Sequence, residues 1–249
     1  MKLEICIDSV ESAVNAQLGG ADRVELCDSL VEGGTTPSYG VVKSCRERLN
    51  KTKLHIIIRP RGGDFFYTNE EFEVMKNDIE MAKSLGVDGV VFGILNRDGT
   101  IDMERNRELI EISKPMSTTF HRAFDTSADP FLALENIISL GFERVLTSGQ
   151  KNRAVDSVKM IKKLTEVAGE RLTILPGSGL REHNIEKFID ETKSKEIHMT
   201  AFKEESTGMD FKSNIPMSGY PRDEFKRKVT DRDLVRRVRK IMDNISDCR

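Results

Sequence analysis

One short pattern recurs three times along the chain. It appears as Gly20-Ala21-Asp22-Arg23-Val24-Glu25-Leu26, as Leu85-Gly86-Val87-Asp88-Gly89-Val90-Val91-Phe92 and as Leu140-Gly141-Phe142-Glu143-Arg144-Val145-Leu146-Thr147. Each copy reads as a helix end, a glycine that closes it, an acidic residue and a buried strand. One further strand–helix pair fits between successive copies. The copies therefore become strands two, four and six of a single alternating series.

The other members fall into place around them. Leu3 to Asp8 alternates with period two, as does Arg23 to Cys27. Between them Ser9 is the expected N-cap of a helix with Val10, Ala13, Val14, Ala16 and Gln17 on its stripe, stopped by Gly19-Gly20. Strand three is expected over Lys53 to Ile58, and an amphipathic helix over Asn69 to Leu85. The next helix runs from Asp102 to Ser113, where Pro115 breaks the pattern. Strand five is Ser117 to Phe120, and Asp129-Pro130 opens another helix. Strand seven is Leu172 to Leu175 and strand eight Glu196 to Met199. Thr230 is the expected cap of a last helix through Leu234, Val238 and Ile241. Eight uninterrupted strand–helix alternations predict an α/β protein, a (β/α)8 TIM barrel occupying residues 1–249 as a single domain. Residues 203–228 are polar with Gly and Pro and are expected to be irregular, as a lid or an oligomer contact.

At 249 residues the chain has the length of one such barrel. A net charge of −2 argues against nucleic acid or a membrane surface as partner. No stretch approaches the ~20 apolar residues of a membrane span, and the N-terminus passes straight into a strand. Four cysteines in this length are no disulfide framework, so a reducing, cytoplasmic setting is expected.

In a (β/α)8 barrel the working face lies at the C-terminal ends of the strands. Those ends carry Cys6 and Asp8, Cys27, Arg59 and Arg61, His121-Arg122, Ser148-Gly149, Gly177-Ser178-Gly179 and His198. Two glycine-rich turns accompany them, Glu32 to Pro37 and Arg59 to Asp64. Cys6 and Cys27 share interior parity on adjacent strands about 4.8 Å apart. Two thiolates so placed can hold one soft ion such as Cu(I). The bland alternative is two small buried hydrophobes, and two thiols fall short of the four ligands of a structural zinc site. Their acidic neighbours Glu4, Asp8 and Glu25 are expected to raise both thiol pKa values, leaving the free thiols protonated at neutral pH.

His121 and His198 are candidate third ligands or acid–base groups, whereas His55 and Met199 read as core. Cys45 is expected in the core and Cys248 in a solvated tail. Glu4 and Glu25 should face the interior with Arg59 and Arg23, either as a buried ion network or as acid–base machinery. Arg59 and Arg61 could clamp a small anionic ligand bidentately, or could anchor a loop through Asp64 or Glu32. An enzyme built on Glu4, Glu25, Arg59, Arg61 and His121 is therefore the alternative to a metal-binding protein.

The same residues resemble the CutC copper homeostasis family. The matching motifs are Glu4-Ile5-Cys6, Gly20 to Cys27, Glu32 to Pro37, Arg59 to Asp64 with Phe65 and Tyr67, Phe120 to Asp125, and Arg144 to Gly149. The resemblance implies a TIM barrel, a cytosolic homo-oligomer (a dimer or tetramer), and Cu(I) held by Cys6 and Cys27. The chain departs from the family's pattern at Gly177-Ser178-Gly179, where an all-glycine turn is common. It departs again at Phe202, where an arginine is common, which argues against an anion site beside strand eight.

Overall fold

A computed structural model describes residues 1–217, 219 and 223–247. Cys248 lies outside the described residues. Eight parallel strands alternate with eight helices, as the pattern predicts. The strands are β1 (Lys2–Ile7), β2 (Arg23–Leu26), β3 (Lys53–Ile57), β4 (Gly89–Phe92), β5 (Ser117–Phe120), β6 (Arg144–Thr147), β7 (Thr173–Pro176) and β8 (Glu196–Met199). The helices are α1 (Val10–Gly19), α2 (Tyr39–Arg48), α3 (Asn69–Ser84), α4 (Met103–Ser113), α5 (Pro130–Leu140), α6 (Val158–Ala168), α7 (Ile185–Thr192) and α8 (Arg232–Asp247). Hydrogen-bonded ladders run in the order β8, β1, β2, β3, β4, β5, β6, β7. β7 and β8 lie against each other and complete a nearly closed barrel.

Local chemistry sets the element ends. Ser9 caps α1 by accepting from the Ser12 amide, and Thr68 and Glu71 form a reciprocal capping box on α3. Gly20 and Gly141 close α1 and α5 at φ +94° and +90°, a region that costs a side chain energy. This explains two of the three recurring glycines. The third, Gly86, follows α3 at φ +67°, and Gly89, the first residue of β4, is glycine for a different reason. A Cβ there would stand 2.5 Å from the His55 ring, so the strand is glycine where that ring needs space.

Two expectations are corrected. Thr230 does not cap α8. Asp231 does, its Oδ1 accepting from the Asp233 and Leu234 amides. Nor is 203–228 irregular throughout, because its ends form an antiparallel pair, β9 (Phe202–Ser206) and β10 (Lys226–Thr230). Both strands are highly charged, which hides them from a hydrophobic pattern. Their opposite charges are paired across the ladder, Glu204 with Lys228 and Glu205 with Arg227.

The strand faces sort as the alternation requires. Leu3, Ile5 and Ile7 of β1 and Val24 and Leu26 of β2 join the large core beneath the helices. Their other faces turn inward. A separate small cluster of Cys6, Cys27 and Ile57 lies inside the barrel.

Candidate metal centre

Four buried charges line the inner face below that cluster. Arg23 donates through Nε to Glu4 and through Nη2 to Glu196 Oε2 at 2.7 Å. Arg144 Nε stands 3.2 Å from the same Glu196 oxygen. Ionised groups buried like this persist only as pairs, and here two arginines balance two carboxylates. Glu4 and Glu25 do face the interior, as expected, but the cation beside Glu4 is Arg23 and not Arg59. The roles of Glu196 and Arg144 escape a reading by sequence, since their partners lie far along the chain.

Above the ion cluster sit the sulfurs. Cys6, the penultimate residue of β1, and Cys27, directly after β2, are both buried, with Sγ atoms 3.9 Å apart. Glu25 lies between them and His198. Suitable ligand atoms of Cys6, Glu25 and Cys27 fall within 4.8 Å of one another, and so do those of Glu4, Glu25 and His198. His198 Nδ1 is 2.7 Å from Glu4 Oε1, and its Nε2 is 3.8 Å from Glu25 Oε2. Glu25 Oε1 is buried without a hydrogen-bond partner.

The electrostatics divide these groups unequally. The hydrogen bond from Cys27 pulls the Cys6 thiol down to about 6, against burial and with help from His198. Cys27 is driven well above the ordinary thiol value, because it is the donor to Cys6 and is buried. Acidic neighbours therefore do not protonate both thiols alike. Burial pushes Glu25 up to about 8. Burial opposes ionisation of Glu4 as well, but Arg23 and His198 outweigh it and hold its carboxyl far below the usual range. Burial would also depress His198, yet Cys6, Glu4 and Glu25 around it hold its pKa well above the usual imidazole value.

The remaining candidates lie elsewhere. Arg59 donates from Nη1 to the carbonyls of Glu32 and Gly34 and from Nη2 to that of Gly63. Its fork is therefore engaged by two loops and stands over the Phe65 ring. Arg61 pairs with Glu71 at 2.6 Å and with the exposed Asp64 at 3.1 Å, and packs on Tyr67. Both arginines are thus loop anchors, Arg61 through Glu71 and Asp64 and Arg59 through backbone carbonyls. His121 packs beside Phe65 with Nδ1 accepting from the Ala123 amide, and burial lowers its pKa to about 3. It is not in either ligand group. His55 is neutral in its buried setting, lowered to about 3. Asp8 is exposed directly after β1, and Cys45 is on the buried face of α2.

Fold and site together define a (β/α)8 barrel that carries a buried thiol pair, backed by carboxylates and one imidazole, on its inner face. The CutC family model matches residues 1–203, and the chain belongs to this copper homeostasis family. A human protein named copper homeostasis protein cutC homolog is 46% identical over 245 residues, covering 98% of this chain and 89% of that one. A CutC family protein of Parabacteroides distasonis is 49% identical over 236 residues, covering 94% of this chain and 97% of its own. A solved CutC structure from Streptococcus agalactiae superposes with a TM-score of 0.77 at 35% identity, covering 80% of this chain and 98% of that one.

Proposed function

We propose that the protein handles copper in the cytosol, holding Cu(I) between Cys6 and Cys27. The observation that carries this reading is the buried contact of two sulfurs at 3.9 Å. Cu(I) is soft and prefers thiolates, and a reducing compartment keeps both thiols available. The names of the relatives support copper as the cargo. No helix among the described residues is long and apolar enough to cross a membrane. We further propose a homo-oligomer of two or four chains. Met209, Phe211 and Ile215, all exposed on the segment between β9 and β10, support a contact there. Cys6→Ser with Cys27→Ser is expected to abolish tight Cu(I) binding in competition with a Cu(I) chelator while leaving the melting transition cooperative. If the double variant holds copper like the wild type, the thiols are not the site.

A second reading, a thiol-dependent enzyme, is favoured by one observation. Cys6 and His198 both neighbour Glu25, and Glu4 orients His198 through a 2.7 Å hydrogen bond. That is the order of nucleophile, base and orienting group. The two readings separate at Cys27, because copper binding needs both thiols and a nucleophile needs Cys6 alone.

A further inference from the structure

The ring of helices around the barrel has one gap. Each helix packs against the next from α3 through α8 and on to α1 and α2, but α2 and α3 scarcely touch. Between them lies a cavity of about 430 Å³, within the roughly 300–1,000 Å³ of pockets that bury a ligand. Pro37, Tyr39, Pro60, Val74 and Met81 give it apolar walls, and Asp78 is its one carboxylate. We propose that this slot receives the segment between β9 and β10 of a second copy of the chain, with Lys212 of that segment meeting Asp78. The inference rests on the homo-oligomer reading and names the surface that the oligomer uses.

Three observations carry it. The first is the pattern of the segment. Met209, Phe211, Ile215 and Met217 fall on one parity, and Asp210, Lys212 and Asn214 on the other. An extended chain sorts such residues onto two faces. The four apolar side chains are 57% to 84% exposed, and an apolar strip left in water marks a contact surface. The second is the gap itself. Helices normally close the outer ring of such a barrel. Here the missing contact leaves Tyr39 and Val74 about half exposed on the flanks of α2 and α3. A strip inserted between two helices buries its apolar face against those flanks.

The third is charge. Arg59, the one cation of the slot, turns its fork to the carbonyls of Glu32, Gly34 and Gly63. Burial raises the pKa of Asp78, so a cation brought to this carboxylate favours its ionised form. Lys212 is the only cation in residues 207–217. Among the described residues neither Asp78 nor Lys212 forms an ion pair, and Lys212 lies over the Phe225 ring. None of the segment's apolar residues lines the slot of its own chain. Two copies bring them together, and two segments exchanged into two slots make a closed twofold pair.

Light scattering across a dilution series of the reduced, full-length protein tests this. An oligomer is expected. Phe211→Ser with Ile215→Ser should dissociate it while leaving the melting transition unchanged. Asp78→Lys and, separately, Lys212→Asp should each raise the dissociation constant about tenfold or more. The two charge reversals combined should restore association. If Asp78→Lys fails to fold, the milder Asp78→Asn should weaken association in the same direction. A monomeric wild type overturns both this proposal and the oligomer reading. An oligomer that survives Phe211→Ser with Ile215→Ser overturns the proposal. So does a folded Asp78 variant that associates like the wild type. If the Phe211 and Ile215 changes dissociate the protein but the Asp78 changes do not, the contact at the segment stands and only the slot is lost.

Discussion

Cys6 and Cys27 are the same residue type in the same pocket, yet they hold protons differently. One proton between two touching sulfurs serves both, so the first thiol ionises easily and the second with difficulty. His198 favours the Cys6 thiolate, and the Glu25 carboxylate disfavours ionisation of Cys27, so both widen the difference. The sign of the pH dependence follows. Cys6 loses its proton as pH rises through about 6, and Cys27 keeps its own well beyond neutrality. Iodoacetamide labelling of the metal-free protein should therefore climb between about pH 5 and 7 at Cys6 alone, since the thiolate is the reactive form. Peptide mapping should find Cys27 unlabelled until the protein unfolds, and Cu(I) should protect Cys6. Equal rates at both thiols would show that the shared proton does not exist. Metal affinity should fall in acid for the same reason, since each ligand must first release a proton.

Two loops and one side chain form the next larger unit. Arg59 ties the turn after β2 to the turn after β3 through three carbonyls. Gly34 in the first turn sits so close to Cys27 that an added Cβ would stand 3.2 Å from its sulfur. Arg59→Ala is expected to destabilise the fold by about 1.5–3 kcal/mol, as hydrogen bonds from a buried charge to three carbonyls are lost. Arg59→Lys should cost nearly as much, because an ammonium cannot reproduce a planar fork. Thermal melting measures the loss, and Cu(I) bound per folded chain should stay unchanged. A variant that remains stable but no longer binds a native anion would restore Arg59 as a ligand-binding group. The elements themselves were readable from sequence because glycine caps and period-two alternation are local signals. Strand eight was found at its observed limits, Glu196–Met199. β9 and β10 were not found, since their pairing rests on complementary charges 22 or more residues apart. Nor could sequence choose between His121 and His198. Both end barrel strands, and only the fold shows that one meets Phe65 and the other Glu4.

At the scale of the whole molecule, the inner ion cluster joins distant parts of the chain. Arg23 bonds Glu196 across 173 positions, and His198 bonds Glu4 across 194. Arg23 meets Glu4 across β1 and β2, but the carboxylate that it shares with Arg144 of β6, Glu196, arrives only with β8. A fragment ending at residue 190 should thus lack a cooperative melting transition and should bind a hydrophobic dye, despite retaining seven of the eight strands. Cooperative melting of that fragment would show that the seven-stranded sheet tolerates its unpaired charges. The cluster also dictates a timetable. During synthesis Arg23 and Arg144 emerge well before Glu196, and contacts this far apart form slowly. The nascent chain must keep those charges hydrated while it waits, so the sheet cannot dry out strand by strand. Water is therefore expected to leave the barrel late, after the last strand has been made.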